Sequence, residues 1–226
     1  MASPRATGRQ RPPQLSDADA IARHKQAAAQ AAAELVTDGM RVGLGTGTTV
    51  AYLLPALAER GLRELTCVPT SPATERAARQ LGLAVRELDV AIDGADQIDP
   101  RGWLIKGGGA ALTREKIVAA AARRFVVIAS AEKAVRALGP PVPLELVAFG
   151  VRHTLAAIGE ARLRAGTRAS PDGGLIADYL GAVGDPGRLA ARLGAVPGVV
   201  EHGLFIGLAQ AAVIAGPDGL RIVERP

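Results

Sequence analysis

The stretch Met40-Arg41-Val42-Gly43-Leu44-Gly45-Thr46-Gly47-Thr48-Thr49 decides the fold. An apolar run over 40–44 passes directly into a glycine–threonine loop, and a helical pattern continues from there to about residue 60. A buried strand that ends in glycines and leads into a helix is the opening βα unit of a parallel sheet. Glycines at such a turn let the backbone approach an anion closely. The free N–H groups of the helix start, with threonine hydroxyls beside them, can then hold phosphate oxygens. Two nucleotide signatures do not fit, because the third glycine of Gly-x-Gly-x-x-Gly falls on Thr48 and no Gly-Lys-Ser/Thr follows. Taken alone, the loop leaves a phosphate site and a plain tight turn both open.

Working outward, the same alternation recurs. An Ala-rich helix starts at Ser16, where Asp19 three residues on makes a capping-box-like start, and runs to about 36. Strands are expected at 65–69, 83–85, 90–92 and 125–129, and helices at 73–81 and 112–122, with Pro55 expected to kink the helix that contains it. Short apolar strands alternating with helices predict an α/β fold, a doubly wound, mostly parallel, Rossmann-like sheet. The pattern changes after Gly139-Pro140-Pro141. A strand at 144–147, a helix at 151–163, two strands flanking Pro171-Asp172-Gly173-Gly174, a helix at 187–193 and a strand at 199–200 follow. That order, β-α-β-β-α-β, is the split arrangement of a ferredoxin-like domain. Apolar runs at 211–215 and 220–223 are expected to return to the first domain. The predicted layout is a disordered basic tail over 1–16, an α/β domain over 17–140 plus 204–226, and a small α+β domain over 141–203.

Composition narrows the function classes. With 48% apolar and only 3% aromatic residues among 226, the core must be built from Ala, Val, Leu and Ile, and no stacking platform for single-stranded nucleic acid is present. Residues 1–16 carry three of the 27 basic side chains and no acid, so the remaining 24 face 22 acidic ones and the net charge of +5 does not mark a nucleic-acid-binding surface. The tail lacks the apolar region of a secretion signal. The run 204–216 is too short to span a bilayer. Cys67 is the lone cysteine, which makes a reducing, cytoplasmic setting the expectation. His24, His153 and His202 are far apart in sequence and no Cys/His spacing resembles a zinc site, so no metal is expected.

Two further motifs carry chemistry. Asp93-Gly94-Ala95-Asp96 places paired carboxylates at the carboxyl end of a strand, where open α/β sheets hold their ligands, although an Asp-rich turn reads equally well. Lys106-Gly107-Gly108-Gly109-Ala110-Ala111-Leu112-Thr113-Arg114-Glu115-Lys116 spends three glycines in a row, each costing about 0.5–1 kcal/mol relative to Ala, where a backbone must bend sharply or lie against a ligand. Glu115 falls in the first turns of the following helix, where it can point to the same crevice or simply favour the helix dipole. Among 27 basic residues only Lys25, Lys106, Lys116 and Lys133 are lysines. A lysine kept against that bias suits a compact donor for an oxyanion or phosphate.

The three motifs together resemble the A-type ribose-5-phosphate isomerases, and the likeness runs from about Lys25 to Gly219. The resemblance implies Glu115 as general base, with Lys106, Asp93 and Asp96 as the other polar catalytic residues. It further implies that Thr46, Gly47, Thr48 and Thr49 bind substrate with Gly94, Ala95 and Gly107, Gly108 and Gly109, and that Lys25 and Lys133 lie near the phosphate. It implies a cofactor-free sugar-phosphate isomerase that assembles as a homodimer or homotetramer. This sequence departs from the family pattern at Gln97, where an acid is usual, at Ser130, where Asp is common, at Gln210, and at Pro55. Rival readings are another sugar-phosphate enzyme of the same superfamily, such as an amino-sugar phosphate deaminase or a CoA transferase, and a non-catalytic sugar-phosphate sensor. The sensor should carry a DNA-binding helix-turn-helix, for which 1–16 is too short, and a basic nucleic-acid binder rests on the tail alone.

Overall fold

The computed structural model describes residues 17–70, 74, 76, 77, 80 and 89–224. The expected tail at 1–16, the strand at 83–85 and most of the helix at 73–81 lie outside them. In chain order the first elements are α1 (Asp17–Ala33), β1 (Arg41–Leu44), α2 (Leu53–Glu59), β2 (Thr66–Pro69), β3 (Val90–Asp93), β4 (Gln97–Ile98), β5 (Leu104–Ile105), α3 (Leu112–Ala121) and β6 (Arg124–Ser130). There follow β7 (Val142–Leu146), α4 (Val151–Ile158), β8 (Ala161–Leu163), β9 (Leu175–Tyr179), α5 (Pro186–Gly194), β10 (Val199–His202), β11 (Leu204–Phe205), β12 (Ala211–Gly216) and β13 (Gly219–Glu224).

The main sheet runs β2-β1-β3-β6-β12-β13, parallel throughout except for β13, which folds back antiparallel on β12. Period-two alternation explains why both of its faces are covered. Val126 and Ile128 of β6, with Val213 and Ala215 of β12, pack into one core with the helices α1 and α2. Phe125 and Val127, with Ala212 and Ile214, point the other way into a second core that includes Ala119 of α3. Strands buried on both faces read as continuous apolar runs. Helix α1 meets the sheet through Ala28, Ala29, Ala32 and Ala33, small side chains on one face that let it pack closely.

The second sheet is antiparallel in the order β10-β7-β9-β8. This is the order that a β-α-β-β-α-β chain gives when its first and third strands pair centrally, and it matches the expected ferredoxin-like unit. Asp185 caps α5, its carboxylate accepting from the Arg188 N–H at 3.0 Å, with Pro186 at the helix start.

A three-stranded ribbon, β11-β5-β4, lies between the two sheets. Its side chains alternate between the cores. Leu104 and Phe205 join the main-sheet core with Phe125, whereas Ile105 and Leu204 join the small-sheet core with Val142 and Leu144.

Some expectations fail locally. Helix α4 stops at Ile158 rather than 163, because Gly159 adopts φ 93° and the chain turns into β8. The apolar spacing of 151–163 hid that break, and one of the two expected strands flanking the 171–174 turn starts ten residues earlier than that turn. Pro55 kinks nothing. It sits in the first turn of α2, where its missing N–H has no helical partner to lose, and a 3-10 turn over Val50–Tyr52 precedes it.

Candidate active site

In the main sheet β1 is followed by β2 on one side, and the chain then crosses back to place β3 on the other. The carboxyl ends of β1 and β3 therefore form the topological switch point, the crevice where open α/β sheets bind ligands. The glycine–threonine loop leaves β1 there, and Asp93 ends β3 beside it. Their approach is so close that a Cβ on Gly45 would lie 1.7 Å from the Asp93 carboxyl carbon. Only glycine fits.

Asp93 is held by donors on every side. Its Oδ1 accepts from the Gly94 N–H at 2.7 Å and the Thr46 N–H at 3.1 Å, and its Oδ2 lies 2.8 Å from Lys106 Nζ. Lys106 arrives from β5, anchored by its N–H to the Gly203 carbonyl at 2.9 Å. Its ammonium donates to the Gly94 carbonyl at 2.7 Å and stands 3.2 Å from Glu115 Oε2. The Oε2 contact is ionic without a directed hydrogen bond, and that oxygen is buried without any hydrogen-bond partner among the described residues. Asp93, Lys106 and Glu115 are each only 3% exposed.

Two carboxylates thus share one ammonium out of water. Burial pushes the Glu115 carboxyl up to about 7; the Lys106 charge opposes this, and the charges of Asp93 and Asp96 add to it. Burial also pushes Asp93 up, opposed by the Lys106 ammonium and by the N–H groups of Gly94 and Thr46, which favour its charge. Burial works against the charge on Lys106, but Asp93 and Glu115 outweigh it and keep the ammonium.

The cleft above this cluster encloses about 120 Å³ and is lined by Lys25, Thr46, Gly47, Thr48, Thr49, Gly94, Ala95, Asp96, Lys106, Gly107, Gly108, Gly109, Glu115 and Lys133. These are the residues expected from the sequence, with one difference: Asp93 lies beneath Lys106 and is not part of the lining. Asp96 does face the cleft, its Oδ2 accepting from the Gly108 N–H at 2.8 Å. Lys25 Nζ donates to Thr48 Oγ1 at 2.9 Å. Burial pushes the Glu132 carboxyl up, but the Ser130 hydroxyl and the charges of Lys133 and Lys25, both of which line the cleft, bring it below its usual range. A larger cavity of about 340 Å³ between β12–β13 and the turn after β4 is mostly apolar and holds none of these groups. The Asp96, Lys106 and Glu115 side chains line the smaller one.

Several supporting residues escaped the sequence reading. Thr70 Oγ1 meets Thr46 Oγ1 at 2.9 Å, and Thr74 Oγ1 donates to the Gly45 carbonyl at 3.2 Å, so two threonines that follow β2 brace the loop. Arg164 and Asp178 reach in from the small sheet. None has a local signature, because each acts across a long sequence gap. The departures from the family pattern also find partners. Gln97 both donates to the Gly139 carbonyl at 2.9 Å and accepts its N–H at 2.8 Å, which an ionised acid could not do. Gln210 Oε1 accepts the Phe125 N–H at 2.6 Å, and Ser130 hydrogen-bonds Glu132. Among the described residues no three His, Cys, Asp or Glu side chains gather as a metal site would require, and no helix is long and apolar enough to cross a membrane.

A flavodoxin-order sheet with a buried acid–lysine cluster at its switch point defines an α/β enzyme acting on a small ligand. Comparison with known proteins narrows that class. The family model of ribose 5-phosphate isomerase A (phosphoriboisomerase A) matches residues 66–219. The ribose-5-phosphate isomerase A of Nitrobacter hamburgensis is 47% identical over 226 residues, covering 89% of this chain and 97% of that one. That of Caulobacter vibrioides is 49% identical over 216 residues, covering 87% and 95%. The solved ribose 5-phosphate isomerase A of Methanocaldococcus jannaschii superposes with a TM-score of 0.84 at 32% identity, over 90% of this chain and 99% of that one. A D-ribose-5-phosphate isomerase in complex with phospho-erythronic acid superposes with a TM-score of 0.86 at 33% identity, over 91% and 99%. The chain belongs to the ribose 5-phosphate isomerase A family.

Proposed function

We propose that this protein interconverts ribose 5-phosphate and ribulose 5-phosphate through an enediolate, with Glu115 as general base. The observation that carries the reading is Glu115: it lines the cleft, and its Oε2 is buried without a hydrogen-bond partner among the described residues and 3.2 Å from an ammonium. The open-chain aldose loses its C2 proton to Glu115, and the electron pair moves to form the C1–C2 double bond with charge on O1. Lys106 stabilises that oxyanion. Glu115 returns a proton to C1 while O1 gains a proton and O2 loses one, giving the ketose with no net oxidation. A base near neutrality suits both halves of this exchange.

The roles of the two aspartates separate in this reading. Asp93 has both oxygens engaged and holds Lys106 in place, whereas Asp96 faces the ligand and can take a sugar hydroxyl, including the one released when the ring opens. Thr46 to Thr49, Lys25 and Lys133 would hold the phosphate, so that distant binding orients the reacting carbons. The backbone of Gly94, Ala95 and Gly107 to Gly109 would lie against the sugar. The reading needs no cofactor and places the enzyme in the cytoplasm as a homodimer or homotetramer, with 17–140 plus 204–226 as the catalytic unit and 141–203 as the small one. Incubation with ribose 5-phosphate should yield ribulose 5-phosphate in the parent and turn over about 10²–10⁴-fold more slowly in Glu115→Gln, which still binds the sugar phosphate. Full turnover by that variant would remove Glu115 as base, and sedimentation as a monomer would remove the assembly.

A further inference from the structure

Arg164 follows β8 in the small sheet, yet its guanidinium reaches the glycine loop of the cleft. Asp178 on β9 grips one side of it, Oδ2 to Nε at 2.9 Å and Oδ1 to Nη2 at 2.5 Å. The remaining nitrogen, Nη1, donates to the Gly107 carbonyl at 3.1 Å and the Gly108 carbonyl at 3.3 Å. In a trans peptide the C=O and the following N–H point in opposite directions. Fixing the Gly107 carbonyl toward the small sheet therefore sends the Gly108 N–H the other way, where it donates to Asp96 Oδ2 at 2.8 Å. Fixing the Gly108 carbonyl turns the Gly109 N–H away from Arg164 as well, and that N–H makes no hydrogen bond among the described residues. Three consecutive glycines have no side chains with which to hold these orientations themselves.

We infer that Arg164 is a positioning residue for the isomerisation: clamped by Asp178, it sets the two peptide planes of Gly107–Gly109 and through them the Asp96 carboxylate and the loop that follows Lys106. It touches no substrate and is absent from the cleft lining. The inference rests on the isomerase reading and extends it to the small sheet, which otherwise contributes nothing to the chemistry. A guanidinium is required because one planar group must face a carboxylate with two nitrogens and two carbonyls with a third, a geometry that an ammonium cannot copy.

The test is steady-state kinetics on Arg164→Gln and Arg164→Lys with ribose 5-phosphate, alongside inhibition by inorganic phosphate and thermal melts. Misplacing the loop should lower kcat about 30- to 100-fold in both variants. KM and the phosphate inhibition constant should stay within about threefold, and the melting midpoint within about 5 °C of the parent. Asp178→Asn, which loosens the clamp but keeps the arginine, should fall between parent and Arg164→Gln, and serves where either arginine variant fails to fold. A kcat within about twofold of the parent in Arg164→Gln, or in Asp178→Asn if that is the variant that folds, would overturn the inference. So would a loss confined to KM and phosphate affinity, which would make Arg164 a phosphate ligand. A parent that shows no turnover at all would refute the isomerase reading instead.

Discussion

Glu115 is the residue on which pH acts most directly. Its carboxyl is raised to about 7 in the folded chain from an ordinary 4.5, burial being the largest cause. Between those values the native state holds a proton that the unfolded chain has released, so the free energy of unfolding falls as pH rises through that window. About 3 kcal/mol is forgone once pH exceeds 7. Glu115→Gln removes this dependence, and urea melts at pH 5 and pH 8 should show the parent losing stability relative to the variant. In the parent, kcat/KM should climb with pH on an acidic limb centred near 7, as the base loses its proton; in the variant turnover should drop about 10²–10⁴-fold. Cys67 shifts the same way. Burial pushes its thiol up to about 12, so a thiol reagent should leave the native protein unlabelled and react only after denaturation. At this scale the sequence was informative about residue types, since Lys106 and Glu115 stand out in their glycine-rich setting. It could not separate Asp93 from Asp96, because what distinguishes them is the number of donors that folding brings to each.

At the scale of elements, the strand–loop–helix passages were legible wherever a run of apolar residues ended in glycine. Gly45 is the tightest of these junctions, and Gly45→Ala should cost about 1–3 kcal/mol by overpacking. The same added methyl group would push the Asp93 carboxylate off Lys106, and activity should fall about 100-fold or more. A melt and a rate measurement on that one variant check both. The failures had local causes. Strands β4, β5 and β11 are two residues each, too short to show a period. The boundary at Ile158 was hidden by apolar spacing that runs on past a glycine whose positive φ ends the helix. Pro55 misled because a proline in a first turn and a proline in mid-helix look alike until the helix start is known.

Over the whole molecule, α3 ties the two sheets together, and none of those ties could be read from local pattern. Glu145 is buried in β7 and takes the Thr113 hydroxyl of α3 at 2.5 Å and the Ser170 hydroxyl of the turn between β8 and β9. Arg114 of α3 grips Asp172 with two nitrogens, the shortest contact being 2.7 Å. Glu145→Ala would leave the buried Ser170 hydroxyl and the half-buried Thr113 hydroxyl without their acceptor and should cost about 1–3 kcal/mol, measured by chemical denaturation, with Glu145→Gln milder because an amide oxygen can still accept from one of them. The cleft that these ties frame is electrically two-faced. Lys25 beside Thr48 and Lys133 on the same cleft offer positive charge, while Asp93, Lys106 and Glu115 together sum to one negative charge when all are ionised. A ligand with an anionic tail and a neutral carbonyl head is accordingly admitted one way round, much as a polarised plug enters its socket. A pentose stripped of its phosphate lacks that handle and would arrive in either sense, most often with the wrong carbons over the acid.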